Sequence, residues 1–209
     1  MPIDNLYTAL TADIIGSRKD TASVGEAGEK LNRFNSVFED LIAVKFTLFR
    51  GDEIQGVFKE AAQLPRLIRQ FRCRLRPLGL RIGVGVGRIE TGLEREFSWQ
   101  MDGSAFHRSR EALGQIARSR SEATRFAGGA AAQLETINVL YTLVDAIQGR
   151  WSEKQWLAVD AYDRNSTFAL AAQELGISAQ SVNKHCRTAK FKAIAEAERF
   201  LDACLKELF

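Results

Sequence analysis

The chain has 209 residues, 45% of them hydrophobic, which suits one good core plus a smaller second one and excludes three domains. Its formal charge of +3, from 29 basic and 26 acidic residues, is too small to indicate a polyanion partner by itself. Three widely spaced cysteines without a CxxC pair do not support a disulfide framework or a zinc site, and they favour a reducing cytoplasm. We expect a soluble protein, because we find neither a signal-peptide pattern nor an apolar stretch of about 18 residues.

Segments with strand and helix periodicity alternate in the amino-terminal part of the chain. They are a strand over 6–13, a helix over 25–41, a hairpin of strands over 44–50 and 54–58, a helix over 61–75 and a strand over 80–89. The order βαββαβ predicts an α+β protein with a ferredoxin-like sheet that carries its helices on one face. We assign residues 1–132 to this palm-like domain.

Two aspartates are predicted to meet at one edge of that sheet. Asp13 ends the first strand and Asp52 lies in the hairpin turn, and in a ferredoxin-like topology the end of strand one lies beside the start of strand three. Carboxylates on strands ~4.8 Å apart repel each other unless a proton or a cation lies between them. Aspartate oxygens suit Mg²⁺ shared with phosphate oxygens, so the pair predicts a metal site. The alternative is that one aspartate ends a strand and the other makes a turn.

The helix over 61–75 and the residue after it are rich in arginine. The five arginines within eleven positions are Arg66, Arg69, Arg72, Arg74 and Arg76. Two interpretations remain open for the exposed side of this helix. It is either a solvated charged face or a surface for the DNA backbone or an acidic partner subunit.

The composition changes after residue 118. Residues 118–132 are rich in Ser, Arg, Ala and Gly and predict a loop or lid, whereas 136–147 has a helical apolar stripe that must pack on the first domain or on a second copy of the chain. We assign 133–150 to a linker helix. Ser152 and Gln155 then form a capping-box pattern that begins an all-α domain over 151–209.

Within that domain, residues 168–182 (FALAAQELGISAQSV) have the pattern of a helix-turn-helix. Gly176 suits a left-handed turn, Ile177 is expected to fill the core and Ser178 to cap the second helix. The side chains that we expect to face outward and bind base edges and phosphates of DNA are Gln180, Asn183, Lys184, Arg187 and Lys190. Such a hairpin also occurs as a protein–protein module. If it binds DNA, a homodimer on a palindromic site is expected.

Four segments together resemble the SatD family of bacterial proteins, in order and over nearly the whole chain. They are 12–17 (ADIIGS), 49–58 (FRGDEIQGVF), 81–87 (RIGVGVG) and 102–106 (DGSAF). The same motifs are similar to those of class III nucleotidyl cyclases, and 50–54 (RGDEI) also resembles the GGDEF turn of diguanylate cyclases. This resemblance implies a cyclase-type domain fused to a helix-turn-helix, with Asp13 and Asp52 holding divalent metal beneath a nucleoside triphosphate.

The chain departs from the cyclase pattern after the 102–106 segment. Cyclases place an asparagine and an arginine there to orient ribose and phosphate, but here His107 lies near the asparagine position and Arg110 is displaced by one residue. Arg108 and Arg110 are candidates for phosphate binding, or else form the solvated side of a helix, and His107 is either a local hydrogen-bonding residue or a base. The other candidate phosphate-binding residues are Gly16, Ser17 and Gly51.

These patterns lead to one principal functional prediction. The chain is predicted to be a cytoplasmic, homodimeric, DNA-binding transcriptional regulator whose palm domain binds a nucleotide with Mg²⁺. The alternative is an active nucleotidyl cyclase or nucleotidyltransferase that uses two-metal chemistry at Asp13 and Asp52. A third interpretation is a scaffold that retains only a relic of the site.

Overall fold

The computed structural model describes residues 6–17, 25–49, 51–95, 97–116 and 123–208; Arg50 of the predicted turn and 118–122 of the predicted loop lie outside these ranges. The described residues form one five-stranded sheet and eight α-helices. The strands are β1 (Tyr7–Ile15), β2 (Ile42–Phe49), β3 (Glu53–Phe58), β4 (Gly79–Gly87) and β5 (Thr124–Ala127). The helices are α1 (Ala27–Val37), α2 (Leu64–Arg74), α3 (Ser104–Ile116), α4 (Ala131–Gln148), α5 (Glu153–Asn165), α6 (Phe168–Leu175), α7 (Ala179–Thr188) and α8 (Phe191–Leu208). None of these helices is long and apolar enough to cross a lipid bilayer.

The sheet has the strand order β2-β3-β1-β4-β5, with β1 at its centre. β1 pairs antiparallel with β3 and with β4, so the predicted antiparallel contact between the first and third strands is confirmed. The prediction of a loop over 118–132 is wrong at residues 124–127, which form β5 parallel to β4. This short edge strand is stabilised by Asn138, whose side-chain amide bonds both the N–H and the C=O of Phe126 at 2.8 and 3.1 Å.

One face of the sheet carries the main core beneath α1 and α2. The even-numbered side chains of β1, such as Leu10 and Ile14, lie on this face because side chains alternate along a strand. Aromatic rings fill the space between sheet and helices; those of Phe34 on α1 and Phe71 on α2 have centroids 5.0 Å apart. These two helices lie on the same face of the sheet, as the ferredoxin-like prediction requires.

The other face is covered by α3, so the expectation of helices on one face only is wrong. Gly83 and Gly85 of β4 face α3, and a Cβ atom at either position would clash with the backbone of that helix. The glycines of β4 thus allow close packing of the strand against α3. Thr11 of β1 and Ser109 of α3 share a buried hydrogen bond of 2.9 Å across this interface.

Helices α4 to α8 follow the sheet. α4 packs on β5 through Tyr141, and α5 begins at the predicted capping box, in which Ser152 and Gln155 exchange both bonds. Gly176 ends α6 with φ = +64°, and the Ser178 side chain accepts from the N–H of Ser181, as predicted. The placement of Ile177 was wrong: its side chain is 41% exposed, because the inner side of α7 is filled by other residues.

The arginines of α2 pack against the carboxyl-terminal helices. Arg69 is 2% exposed and makes two bonds to Glu198 of α8, at 2.7 and 3.1 Å. Asp163 of α5 lies 2.9 Å from Arg66 and 3.3 Å from Arg69, and Arg72 is 3.3 Å from Asp145 of α4. Four of the five arginines are therefore paired within the molecule, Arg74 with Asp160 of α5 among them, so neither interpretation fits these four.

Candidate functional site

Asp13 and Asp52 lie beside each other where β1 ends and β3 begins. Asp13 is paired with Glu53 in the strand register, and the N–H of the next residue, Ile14, donates to the carbonyl of Asp52 at 3.0 Å. Ser17 donates from its hydroxyl to a carboxylate oxygen of Asp52 at 2.8 Å. The predicted convergence of the two aspartates is confirmed. We call Asp13, Asp52 and Ser17, with Gly16 and Gly51, the carboxylate rim.

Glycine is required by the backbone at the two turns of the carboxylate rim. Gly16 has φ = +76° and Gly51 has φ = +90°, a region that residues with a Cβ atom rarely adopt. Among the described residues, neither glycine has a neighbouring group within 4 Å that a Cβ atom would contact. As far as these residues define it, the rim is a partly exposed edge with space next to two carboxylates.

Among the described residues, the two carboxylates of the carboxylate rim are only partly offset by a neighbouring cation. Burial raises the pKa of Asp13 above its ordinary value, and the negative charge of Asp52 raises it further, while Arg81 on the paired position of β4 lowers it in part. A divalent cation between the two carboxylates would relieve both effects, so the residues fit Mg²⁺. Over the described ranges there is no group of three or more acidic, histidine or cysteine side chains that could hold a metal. An ion here would take its other ligands from water or phosphate.

A buried polar network lies behind the rim, on the side of the sheet covered by α3. Gln55 of β3 donates to the Thr11 hydroxyl at 3.3 Å, and Thr11 bonds Ser109 at 2.9 Å. The Oε1 atom of Gln55 and the hydroxyl of Thr47 are buried and have no hydrogen-bond partner within the described ranges. Sequence reasoning missed this network, although the polar residues at alternate positions of two otherwise apolar strands were a usable signal.

The two candidate arginines of α3 lie on different sides of that helix. Arg108 donates to the carbonyl of Val86 at 2.5 Å. Val86 is paired with Thr8, five residues before Asp13 in β1, which corresponds to about 17 Å. The structure therefore does not bring Arg108 to the carboxylate rim. Arg110 is exposed on the side of α3 that also carries Phe106, four residues earlier.

His107 makes a local contact at the start of α3. Its Nε2 atom lies 3.1 Å from a carboxylate oxygen of Asp102, and both side chains are about two-thirds exposed. Asp102 also accepts from the N–H of Gly103 at 2.9 Å. This arrangement supports the local hydrogen-bonding interpretation of His107.

The outward face of α7 is polar and basic. Val182, Cys186 and Ala189, on its other side, are buried. The five predicted DNA-binding side chains are all exposed; they are Gln180, Asn183, Lys184, Arg187 and Lys190. Beside this face lies a groove of about 750 Å³ with an aromatic floor, formed in part by Tyr162 and Phe168, whose rings stack at 4.4 Å. Sequence reasoning did not predict this groove.

The family model described as the SatD family matches residues 7–199. The chain belongs to the SatD family. No curated protein matches it. Among solved structures, the chain is similar to the "Regulator of Polyketide Synthase Expression from Bifidobacterium adolescentis", with 14% identity over 97% of this chain and 79% of that chain and a TM-score of 0.28.

The region shared with the SatD family includes the carboxylate rim and the whole of α7. It also includes Asp163 and Glu198, which hold α2 against the carboxyl-terminal helices. The rim and the α7 face therefore lie within a single family unit.

Proposed function

We propose that this SatD-family protein is a DNA-binding transcriptional regulator whose amino-terminal domain binds a nucleotide together with Mg²⁺. The proposed domains are a ferredoxin-like palm (1–132), a linker helix (133–150) and a helix-turn-helix domain (151–209). The strand order β2-β3-β1-β4 supports the palm assignment. The observation that carries the proposal is the exposed polar face of α7, which follows a left-handed glycine turn.

The α7 face has the chemistry of a DNA reader. Amide side chains such as Gln180 and Asn183 bind base edges, and Lys184 and Arg187 bind phosphates. Residues 175–195 contain four basic residues and no acidic one. This local positive charge supports DNA binding in a chain whose overall charge is small.

Fluorescence anisotropy with a random-sequence DNA duplex, measured over a series of salt concentrations, tests DNA binding. Replacing Lys184 and Arg187 together by Gln should reduce the slope of log K against log salt by about 2, since each phosphate contact contributes about 0.9. Arg33→Gln on α1, whose side chain is 79% exposed, is the matched control and should leave the slope unchanged. Absence of any binding at low salt, or equal slopes for the double variant and the wild type, contradicts the proposal.

A homodimer is supported by the outer side of α4. Val139 and Leu143 are 53% and 58% exposed. They form the middle of an exposed stripe along the helix, which has smaller residues at both ends. The full stripe is Ala132, Thr136, Val139, Leu143 and Ala146, with the alternating spacing of four and three that packs against a second helix. We propose that a second copy covers this face in antiparallel orientation. Leu143→Glu should give a monomer in sedimentation velocity and weaken DNA binding; an unchanged dimer contradicts this assignment.

The carboxylate rim supports the nucleotide part of the proposal. Asp13 and Asp52 would hold Mg²⁺, which when bound supplies positive charge to phosphate oxygens. Ser17 orients Asp52 through its hydroxyl, and the open turns at Gly16 and Gly51 leave room for phosphate close to the backbone. Arg110, on the exposed side of α3, is the more suitable of the two arginines for a phosphate contact, because Arg108 is bonded to Val86.

The proximity of Asp13 and Asp52 also favours a second candidate function, an active nucleotidyl cyclase or nucleotidyltransferase. Incubation with ATP or GTP and Mg²⁺ or Mn²⁺, followed by chromatography, distinguishes the two. Pyrophosphate and a nucleotide product that disappear in Asp52→Asn would favour the enzyme. Unchanged nucleotide in all incubations favours the regulator.

A further inference from the structure

A second cavity lies where the sheet meets the carboxyl-terminal helices. Its volume is about 330 Å³. Its walls come from the end of α2, the start of β4, the end of α4 and the start of α5. The residues that give it chemical character are Arg72, Arg76, Asp145, Gln148, Trp151 and Trp156. We call it the junction cavity; it contains no residue of the carboxylate rim or of the α7 face.

The wall of the junction cavity carries more positive than negative charge. The guanidinium of Arg72 contacts Asp145 at 3.3 Å and also donates to the carbonyls of Leu80 and Ala123. Asp145 is saturated in turn, since its oxygens accept from the N–H groups of Ala123 and Thr124 and from the Thr124 hydroxyl. Arg76 has no ion-pair partner in the part of the chain that the structure describes. The cavity wall therefore has a net positive charge, centred on Arg76.

Two donors in this wall are left without an acceptor. The Nε atoms of both Arg72 and Arg76 are buried and have no hydrogen-bond partner within the described ranges. A buried donor without an acceptor is unfavourable, so the described part of the chain satisfies neither guanidinium completely. The terminal nitrogens of Arg72 are bonded within the described residues, which leaves the guanidinium of Arg76 as the group that an anion in the cavity would bind. Arginine forms paired bonds to planar carboxylates more readily than lysine does.

The rest of the wall is aromatic. The Arg76 guanidinium lies 5.5 Å above the ring centroid of Trp156, and Trp151 meets Trp156 edge to face at 4.7 Å. Both rings are largely buried, and the parts of them that border the cavity give it an apolar side against which a flat organic body would pack better than a bare oxyanion.

We propose that the junction cavity binds a small organic anion, a carboxylate on a planar apolar body, with Arg76 as its anchoring cation. The ligand would touch α2 and β4 on one side and Trp151 and Trp156 on the other. The ligand would thereby stabilise the packing of α5 on α2, because it would bind only to the arrangement in which these two helices are packed together. This proposal depends on neither nucleotide binding nor DNA binding.

Benzoate is a suitable probe, and benzamide is its neutral match. In a Trp99→Phe background the two cavity tryptophans are the only ones left in the chain. Benzoate should change their fluorescence in a saturable way below about 10 mM, and benzamide should not. Isothermal titration calorimetry on the wild type measures the same binding if the fluorescence is silent.

Variants of Arg76 identify the anchor. Arg76→Gln should weaken benzoate binding by about tenfold or more, because it removes a charge-assisted pair of hydrogen bonds. Arg76→Lys keeps the charge but not the planar donors and serves if the glutamine variant does not fold; it should also bind more weakly. Arg33→Gln should bind as the wild type does. Equal responses to benzoate and benzamide, no response in either method, or full affinity in the folded Arg76 variants would overturn the proposal.

Discussion

The molecule contains two clusters of charged residues that differ in how their charges are balanced. At the carboxylate rim, Asp13 and Asp52 lie side by side at a partly exposed edge, and among the described residues Arg81 offsets their charge only in part. Between α2 and the carboxyl-terminal helices, Arg69 is almost fully buried and each of its two acidic neighbours is bonded to arginine. Within the part of the chain that the structure describes, the charges of the first cluster are therefore balanced in part and those of the second are paired.

This difference separates a ligand site from a structural interface. Buried charges persist in a folded protein when they are paired and hydrogen-bonded, as Arg69 and Glu198 are. Like charges held together without a counter-ion reduce stability unless something else binds to them. At the rim, ionisation of both aspartates therefore lowers the stability of the native state, and the proposed cation would offset this loss.

The largest effect is expected from breaking the complete cluster. Arg69→Met leaves Glu198 buried without its bidentate partner and should lower the free energy of unfolding by about 3–5 kcal/mol. The double variant with Glu198→Leu should recover much of this loss, because no unpaired charge then remains. Urea unfolding of both variants measures the effect; a cost for Arg69→Met below about 1 kcal/mol contradicts a structural role.

A smaller and pH-dependent effect is expected at Asp163. Burial by itself raises the pKa of Asp163, but Arg69 and Arg66 outweigh it and the pKa lies below its ordinary value. A lowered pKa means that the ionised form contributes stability above the unfolded pKa near 4, and that this contribution is lost as the pH falls through the lower folded value. Asp163→Asn should cost about 1–3 kcal/mol at pH 7.

The cost of Asp163→Asn should shrink when unfolding is measured at about pH 2, where the wild-type carboxyl is also protonated. Lys206→Gln, on the exposed ion pair with Asp202 of α8, is a control expected to show little change at either pH. A cost for Asp163→Asn that does not vary with pH would show that the charge of Asp163 does not stabilise the interface.

The smallest effect, of opposite sign, is expected at the rim. Because the pKa of Asp13 is raised, its ionisation destabilises the native state once the pH rises above the unfolded value near 4. Asp13→Asn should therefore raise the free energy of unfolding at pH 7, by up to about 1 kcal/mol, and the gain should disappear in acid. A loss of stability at pH 7 would mean that the carboxylate of Asp13 makes a favourable contact.

Sequence reasoning predicted the α6–α7 turn from local chemistry and the rim from the order of the strands. A glycine with positive φ and a serine cap act within a few residues, as at Gly176 and Ser178. Asp13 and Asp52 are 39 positions apart in the sequence, but they could be paired because the βαββαβ order predicts which strands are neighbours.

The features that sequence reasoning missed depend on distant partners. Arg69 is bonded to a residue 129 positions later, and no local pattern in α2 shows that acidic side chains will cover it. The strand β5 has only four residues, too few for a periodic signal. Arg108 and Arg110 are close in sequence, but one bonds to Val86 and the other stays exposed, which follows from packing against β4 and not from spacing.

We propose that a metal-bound nucleotide completes the charge cluster of the carboxylate rim. The decisive measurement is thermal unfolding of the wild type and of the Asp13→Asn, Asp52→Asn double variant, each with Mg²⁺ alone and with Mg²⁺ and ATP or GTP. At about 100 times the dissociation constant, we expect the wild type to gain about 2.7 kcal/mol with one of the nucleotides and the double variant to gain nothing. No gain in the wild type with either nucleotide, or the same gain in both proteins, would contradict this proposal.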